Sequence, residues 1–406
     1  MTPRSVAPLW LMGLTNSVFG MYGGIILIAV PQLLSIRHVP ETTIAAMTAL
    51  MVSPGFWTFL VSPVLDVHFS RRWYSVASAA IGAALLVVAL LNLDHLALAE
   101  GLLVAGYFFA NLYQSALGGW LSSITSAEQE NTLSSWVTIG NVGAGGAMAA
   151  ATGELIRNFS PGIAALVLGG LIVLPTAVFP FMSAPGPDRR LAAESFGQFF
   201  GDVLSLLKRR EVLIAILLFV APAATFSLTN FLGGIGDDFH ASRHVASLVG
   251  GGAVLFGGTA GCLVFRLVDR LLPLRFLYLA IGVMGLLFTL IVILLPHTPA
   301  VFAVTFIGEN VFQGLAITTS VAIAFETIGP RNPLAATTFC LLISAYNIPI
   351  TYMLMVDGWG YGKRGVAGSF AADASLGVVA SVLLGALLIW VTPRRPLVPI
   401  GVPERS

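Results

Sequence analysis

The segment Ser62-Pro63-Val64-Leu65-Asp66-Val67-His68-Phe69-Ser70-Arg71-Arg72 is where a long apolar run ends and charge begins. Residues 43–65 before the acid and 74–93 after the arginine pair are each about as long as the ~20-residue helix that crosses the ~30 Å hydrocarbon core of a bilayer.

The pattern repeats outward in both directions. Apolar stretches also occupy approximately 9–34, 98–123, 132–155, 161–184, 212–234, 245–268, 273–295, 298–325, 334–356 and 369–392, which makes twelve in all. Of 406 residues, 57% are apolar and 10% charged, and mean hydropathy is +0.90. Such a composition belongs to a polytopic membrane protein and not to a soluble domain. The joints Leu93 to Leu98 and Leu295 to Thr298 are so short that only antiparallel neighbours can use them, and Pro296 and Pro299 favour a turn at the second. The first stretch is too long for a secretory signal peptide and lacks a small-residue cleavage site, so it is expected to persist as a span.

Lysine and arginine set the orientation. With the N-terminus inside, fifteen of the twenty fall in cytoplasmic segments and five (Arg37, Arg157, Arg243, Lys363, Arg364) outside, so both termini are expected in the cytoplasm and the protein in the inner membrane. The loop carrying Glu128 and Glu130 lacks a basic residue, but acids weigh little in this rule.

A net charge of +1 provides no basic surface for nucleic acid. Cys262 and Cys340 fall inside spans and read as small buried apolar residues, and six scattered histidines lack ligand spacing, so no disulfide, metal or cofactor is expected. An integral-membrane enzyme would need a catalytic constellation. The chain has no His-Glu-x-x-His, no Gly-x-Ser-x-Gly and no clustered acids at catalytic spacing, so an enzyme is not expected.

Ala184 to Glu211 is the longest hydrophilic segment, and Phe196, Phe199, Phe200, Val203, Leu204 and Leu207 recur in it at helical spacing, as in an amphipathic helix on the cytoplasmic face. Six spans lie on either side of it. The fourth reads Asn111-Leu112-Tyr113-Gln114-Ser115 and the tenth Asn310-Val311-Phe312-Gln313-Gly314, at an offset of 199 residues. The second ends Val64-Leu65-Asp66 and the eighth Leu267-Val268-Asp269, at an offset of 203, each followed by arginine. Two matches at nearly one offset, in spans that would correspond, indicate an internal repeat.

Six plus six spans, a cytoplasmic central loop and an aspartate followed by Arg71 and Arg72 at the end of the second span resemble the major facilitator superfamily. Ser62 stands where a glycine is usual in that motif, and the arginines are displaced by about one residue. Pro63-Val64-Leu65-Asp66 and Gly140-Asn141-Val142-Gly143-Ala144-Gly145-Gly146 are similar to the peptide, acetyl-CoA and drug transporter branch, which includes AmpG-type permeases. The resemblance implies an all-α integral membrane protein whose twelve transmembrane helices form two pseudo-symmetric six-helix bundles. The expected boundaries are 1–184 for the first bundle, 185–211 for the linker and 212–406 for the second bundle. It also implies secondary active transport of a small organic solute by alternating access, in a monomer embedded in the lipid bilayer. A membrane sensor on the same fold would keep the cavity and lose turnover.

Polar side chains at mid-membrane depth are costly unless paired or facing water, and so mark the expected site. On the fourth span Asn111, Gln114 and Ser115 share a face beside Tyr113, and on the tenth Glu309, Asn310 and Gln313 cluster; both are expected to line one cavity, with Asn16, Asn230 and Asn347 around it. Amides donate and accept, which suits a polar, amide- or sugar-bearing solute better than a small inorganic ion; the resemblance implies a peptide, muropeptide, siderophore or drug. Glu309 lies about eleven residues from the outer end of its helix, near the midplane, where a carboxyl is poised to bind and release a proton. It is the candidate for proton coupling. Branch members often carry acids near the fourth-span glutamine, whereas this chain has Ser115 and Gly119, which moves coupling to the tenth span. Asp66 with Arg71 or Arg72, and Asp269 with Arg270 or Arg275, are expected as charge-assisted latches. Glu100, Glu154, Asp357 and Asp373 read as rim residues near the outer ends of spans.

Overall fold

The computed structural model describes residues 7–67, 69–184, 201, 203–232, 235–329 and 332–391. Most of the proposed central linker lies outside them. All regular structure among the described residues is helical and forms twelve spans, eight of which contain windows long and apolar enough to cross a membrane. The protein is a multi-pass membrane protein. The spans are α1 (9–36), α2 (41–66), α3 (Arg71–Leu91), α4 (Leu96–Ile124), α5 (Glu130–Asn158), α6 (161–181), α7 (210–231), α8 (243–268), α9 (Leu274–Ile293), α10 (Pro299–Ile328), α11 (335–363) and α12 (366–391).

Several spans are not single regular helices. In α2, Pro54 and Pro63 cannot donate to a helical ladder, and the chain passes through the 3-10 turns Thr58–Leu60 and Ser62–Asp66 before it reaches Arg71. Pro180 lies in the 3-10 end of α6, Leu174–Phe181. In α7 the helix stops at Val220, the segment 221–227 containing Pro222 is irregular, and a short turn Leu228–Phe231 follows. Phe226 within that break has φ of +52°, a left-handed conformation that costs a bulky residue energy and holds only where packing imposes it. The packing comes from α9. A Cβ on Gly282 would collide with the Ala223 carbonyl, so only glycine lets the broken backbone come this close.

The segment 357–368, which falls between the expected eleventh and twelfth spans, is helical almost throughout. α11 runs on to Lys363, the chain reverses at Arg364 and Gly365, and α12 begins at once. Gly365 supplies the positive φ of the reversal at +60°. Two further turns of helix therefore lie beyond the expected end of the eleventh span.

The helices of the two chain halves approach closely at the Asp66 end. A Cβ on Gly119 in α4 would run into the Ala336 backbone at the start of α11. Leu206, from the end of the linker, packs with Leu334 and against Val67, closing that end from below. Cys262 and Cys340 are both buried and free.

Candidate functional site

At the junction of α2 and α11, the Asp66 carboxylate accepts hydrogen bonds from the backbone N–H of Ala336 at 3.2 Å and of Thr337 at 2.8 Å, and from the Thr337 hydroxyl at 2.6 Å. Arg71 at the start of α3 donates to the same carboxylate through Nε at 2.8 Å and reaches the Pro333 carbonyl through Nη2 at 2.8 Å. Both charged side chains are buried. A helix start leaves its first N–H groups unpaired and carries partial positive charge, so an aspartate there is held by hydrogen bonds and by the dipole together. Arg72 is half-buried and enters no ion pair among the described residues. The corresponding place in the second half is built differently. Asp269 accepts from Asn131 Nδ2 of α5 at 3.1 Å instead of pairing with Arg270 or Arg275. Arg270 is exposed.

Deeper between the halves, Gly55 of α2 leaves a gap of about one methyl group beside polar side chains. A Cβ there would lie 3.6 Å from Asn347 Nδ2 of α11 and 4.0 Å from Asn111 Oδ1 of α4. Trp57 stacks on Phe108 beside it, with ring centroids 5.2 Å apart. Asn111 donates back to the Tyr107 carbonyl at 2.8 Å, which leaves its Oδ1 facing the gap, and Gln114 is buried one turn further along α4. The other first-half residues have structural partners. The Tyr113 hydroxyl donates to the Thr15 carbonyl at 2.7 Å and its ring is fully buried, while Asn16 Nδ2 donates to the Val137 carbonyl at 3.1 Å. These two tie α1 to α4 and α5.

The α10 cluster does not face this gap as one unit. Glu309 points to α9, its Oε1 lying 2.5 Å from the Thr289 hydroxyl. Asn310 turns toward Gly257 of α8, and its Nδ2 donates to the Phe306 carbonyl at 2.9 Å. Gln313 donates to the Thr229 hydroxyl of α7 at 2.8 Å, and Asn230 beside it is exposed. Adjacent residues on a helix lie about 100° apart, so Glu309 and Asn310 meet different helices, and Gln313, one turn on, lies between them about the axis and meets α7.

Sequence reasoning misplaced two acids. Asp357 and Asp373, expected at the rim, are 0% and 8% exposed, and the Ser227 hydroxyl in the α7 break lies 2.7 Å from Asp357 Oδ2 and 3.1 Å from Asp373 Oδ1. The correction follows from the longer α11 and the immediate start of α12, which place each acid about two turns inside its helix. Gly360 and Gly368 let the two helices cross closely. Those glycines and Pro222 were the available signals.

No family model matches the chain, and no curated protein matches it either. Solved structures do. The chain is similar to FucP, a major facilitator superfamily transporter in the outward conformation, with a TM-score of 0.67, 12% identity and coverage of 92% of this chain and 98% of that one. A structure of the E. coli fucose:proton symporter FucP gives a TM-score of 0.68 at 14% identity over 92% and 98% of the two chains. A bacterial homologue of the iron transporter ferroportin, outward-facing with soaked iron, gives 0.57 at 16% identity over 93% and 98%. At these identities the likeness shows the fold, and the fold is that of the major facilitator transporters.

Proposed function

We propose that this chain is a secondary active transporter that carries a small organic solute through the space around Gly55 by alternating access, driven by protons. The observation that supports this most directly is the junction of Asp66 and Arg71 with the first turn of α11. It joins two halves at one end of the molecule by a few hydrogen bonds, which is the kind of contact that can be made in one state and broken in another. The halves are 1–184 and 212–406, joined by 185–211, and both termini lie in the cytoplasm of an inner-membrane protein. In that frame the Asp66 end is cytoplasmic, and the described state is closed toward the cytoplasm.

Asn111, Gln114 and Asn347 surround the solute gap, with Gln313 and Asn310 contributing from α10 when the halves move. Asp66 and Arg71 serve the cytoplasmic gate, with Asp269 joining it through Asn131 of α5, and Glu309 takes the coupling proton. The amide lining suits a peptide, muropeptide, siderophore or drug. The structural neighbours, a fucose:proton symporter and a homologue of an iron transporter, add fucose and iron as probes.

The test is the melting temperature of the purified protein in detergent across those solute classes, followed by counterflow of the stabilising solute in liposomes. A bound solute stabilises by mass action. Stabilisation with counterflow supports a transporter; stabilisation without exchange indicates the sensor on the same fold; and no stabilisation by any class removes the proposed solutes.

A further inference from the structure

In the outer half of the second bundle three carboxyls lie within one small region: Glu309 on α10, Asp357 on α11 and Asp373 on α12, exposed by 1%, 0% and 8%. Among the described residues no ion pair reaches any of them. Lys363 and Arg364, the nearest cations along the chain, are exposed at the end of α11. The Tyr352 hydroxyl of α11 is committed to the Val220 carbonyl of α7. Three uncompensated negative charges in such a place would be prohibitive, so the group must hold protons or another cation.

The hydroxyls between them indicate which. Ser227 Oγ lies within hydrogen-bond distance of both Asp357 Oδ2 and Asp373 Oδ1, at 2.7 and 3.1 Å. A hydroxyl has one proton to donate, so the second contact requires a proton on one of the carboxyls, donated to the serine lone pair. Thr289 repeats the arrangement. Its Oγ1 lies 3.0 Å from the Gly285 carbonyl and 2.5 Å from Glu309 Oε1. If it donates to the carbonyl, Glu309 carries the proton; if it donates to Glu309, the carbonyl contact is empty. The remaining gap is bridged by a cavity of about 10 Å³ lined by Thr289, Asp373 and Thr225, among others in the α7 break. That is about the least space that admits one water. Among the described residues Thr225 Oγ1 is buried there without a partner, and Asp357 Oδ1 is likewise buried and unpartnered at the far end of the chain of groups.

We propose that Glu309, Thr289, one water in this cavity, Asp373, Ser227 and Asp357 form a proton relay in which Asp357 and Asp373 share a bound proton. In each transfer a hydroxyl accepts a proton on its lone pair from one side and gives its own to the other, so one proton enters the relay as one leaves and each hydroxyl is unchanged. The ligand is a proton exchanging through a single water. The site lies apart from the solute gap at Gly55, on the helix that is already broken, so movement of α7 would open or close it. The inference deepens the proton-driven reading above, which supplies only Glu309.

Infrared difference spectroscopy of the carboxyl C=O stretch, with the protein in lipid and pH stepped in deuterated and ordinary water, tests the relay without a known solute. The wild type is expected to show bands of protonated carboxyls. Asp373→Asn should remove one of them and shift the Glu309 band, which is assigned by its loss in Glu309→Gln. Thr289→Val should abolish that shift by cutting the path, and Ser227→Ala should separate the Asp357 and Asp373 signals. Retention of all bands in Asp373→Asn, or an unmoved Glu309 band, would overturn the relay. So would wild-type bands that vanish on adding sodium at constant pH, since the site would then hold that ion. The wild-type spectrum and its sodium response decide even if a variant fails to fold. Counterflow without these bands would sink the relay and leave transport standing; these bands without counterflow would do the reverse.

Discussion

The Oδ2 atom of Asp66 lies 2.8 Å from the backbone nitrogen of Thr337, 271 positions further along the chain, and so caps a helix that belongs to the other half of the molecule. The residue before that helix is Leu334, whose side chain has no acceptor for the first-turn N–H groups. The cap is borrowed. Closing this end of the protein and completing α11 are therefore one event.

Replacing Asp66 with Asn keeps an acceptor but removes the charge and leaves Arg71 buried beside a neutral group. Charge-assisted bonds of this kind are worth roughly 1.5–3 kcal/mol, so the closed state should lose about tenfold or more in population relative to states open at this end. Cys340 reports it, being buried on α11 with Ser62 of α2 and Ser115 of α4 among its neighbours. In a Cys262→Ala background, maleimide should label Cys340 about tenfold faster in Asp66→Asn than in the parent, by the same free-energy difference. An unchanged labelling rate with intact folding would show that Asp66 holds nothing shut.

Gly55 tests the solute site. It is buried with its Cβ position already touching Asn347, Asn111 and Tyr107, so Gly55→Leu should cost about 1–3 kcal/mol by overpacking, partly offset by about 1 kcal/mol of helix propensity. Its side chain would fill the gap between Asn111 and Asn347, and the melting shift produced by the stabilising solute should disappear. Gly55→Ala, whose Cβ makes only ordinary contacts, should retain most of the shift. A full shift in Gly55→Leu would place the solute elsewhere.

The twelve spans were legible because hydrocarbon imposes a length and a composition on any helix that crosses it, and the acid–arginine junction because a charge pair next to a span has few places to go. Depth near span ends was not legible. Asp357 falls just past the expected end of the eleventh span, yet the helix continues to Lys363 and crosses the next one closely at Gly360 and Gly368. Facing was lost in the same way. Glu309, Asn310 and Gln313 look like one cluster in the sequence, yet each meets a different helix, because orientation about the α10 axis is fixed by neighbours that a single sequence does not order.

Glu130 gives the closed end a pH dependence. It is the first residue of the 29-residue helix α5, which exceeds the roughly 20 residues a bilayer core needs, so it lies beyond the membrane-spanning part. Burial, and then the charge of Glu326 at the end of α10, raise its pKa above the ordinary glutamate range. The folded protein thus holds a proton that the unfolded chain has already released, and this contribution is full at low pH and lost as pH rises through the raised value. Glu130→Gln removes it. The melting temperature of the parent, measured against that variant, should fall as pH climbs from the usual glutamate range, and parallel curves would show that the two carboxyls do not oppose one another.

Glu309 couples protons in this scheme only if transport can run without it when no gradient has to be used. Equilibrium exchange needs the solute site to alternate but requires no net proton movement, whereas accumulation requires a proton to be carried with each solute. Glutamine in place of Glu309 keeps a hydrogen-bond partner for Thr289 and is isosteric, but it cannot take up or release a proton at any accessible pH. In liposomes with an imposed proton gradient, Glu309→Gln should therefore bring accumulation down to the equilibrium ratio while counterflow at zero gradient persists. Loss of both would make Glu309 a structural residue held by Thr289, and retained accumulation would move the coupling proton off α10 altogether.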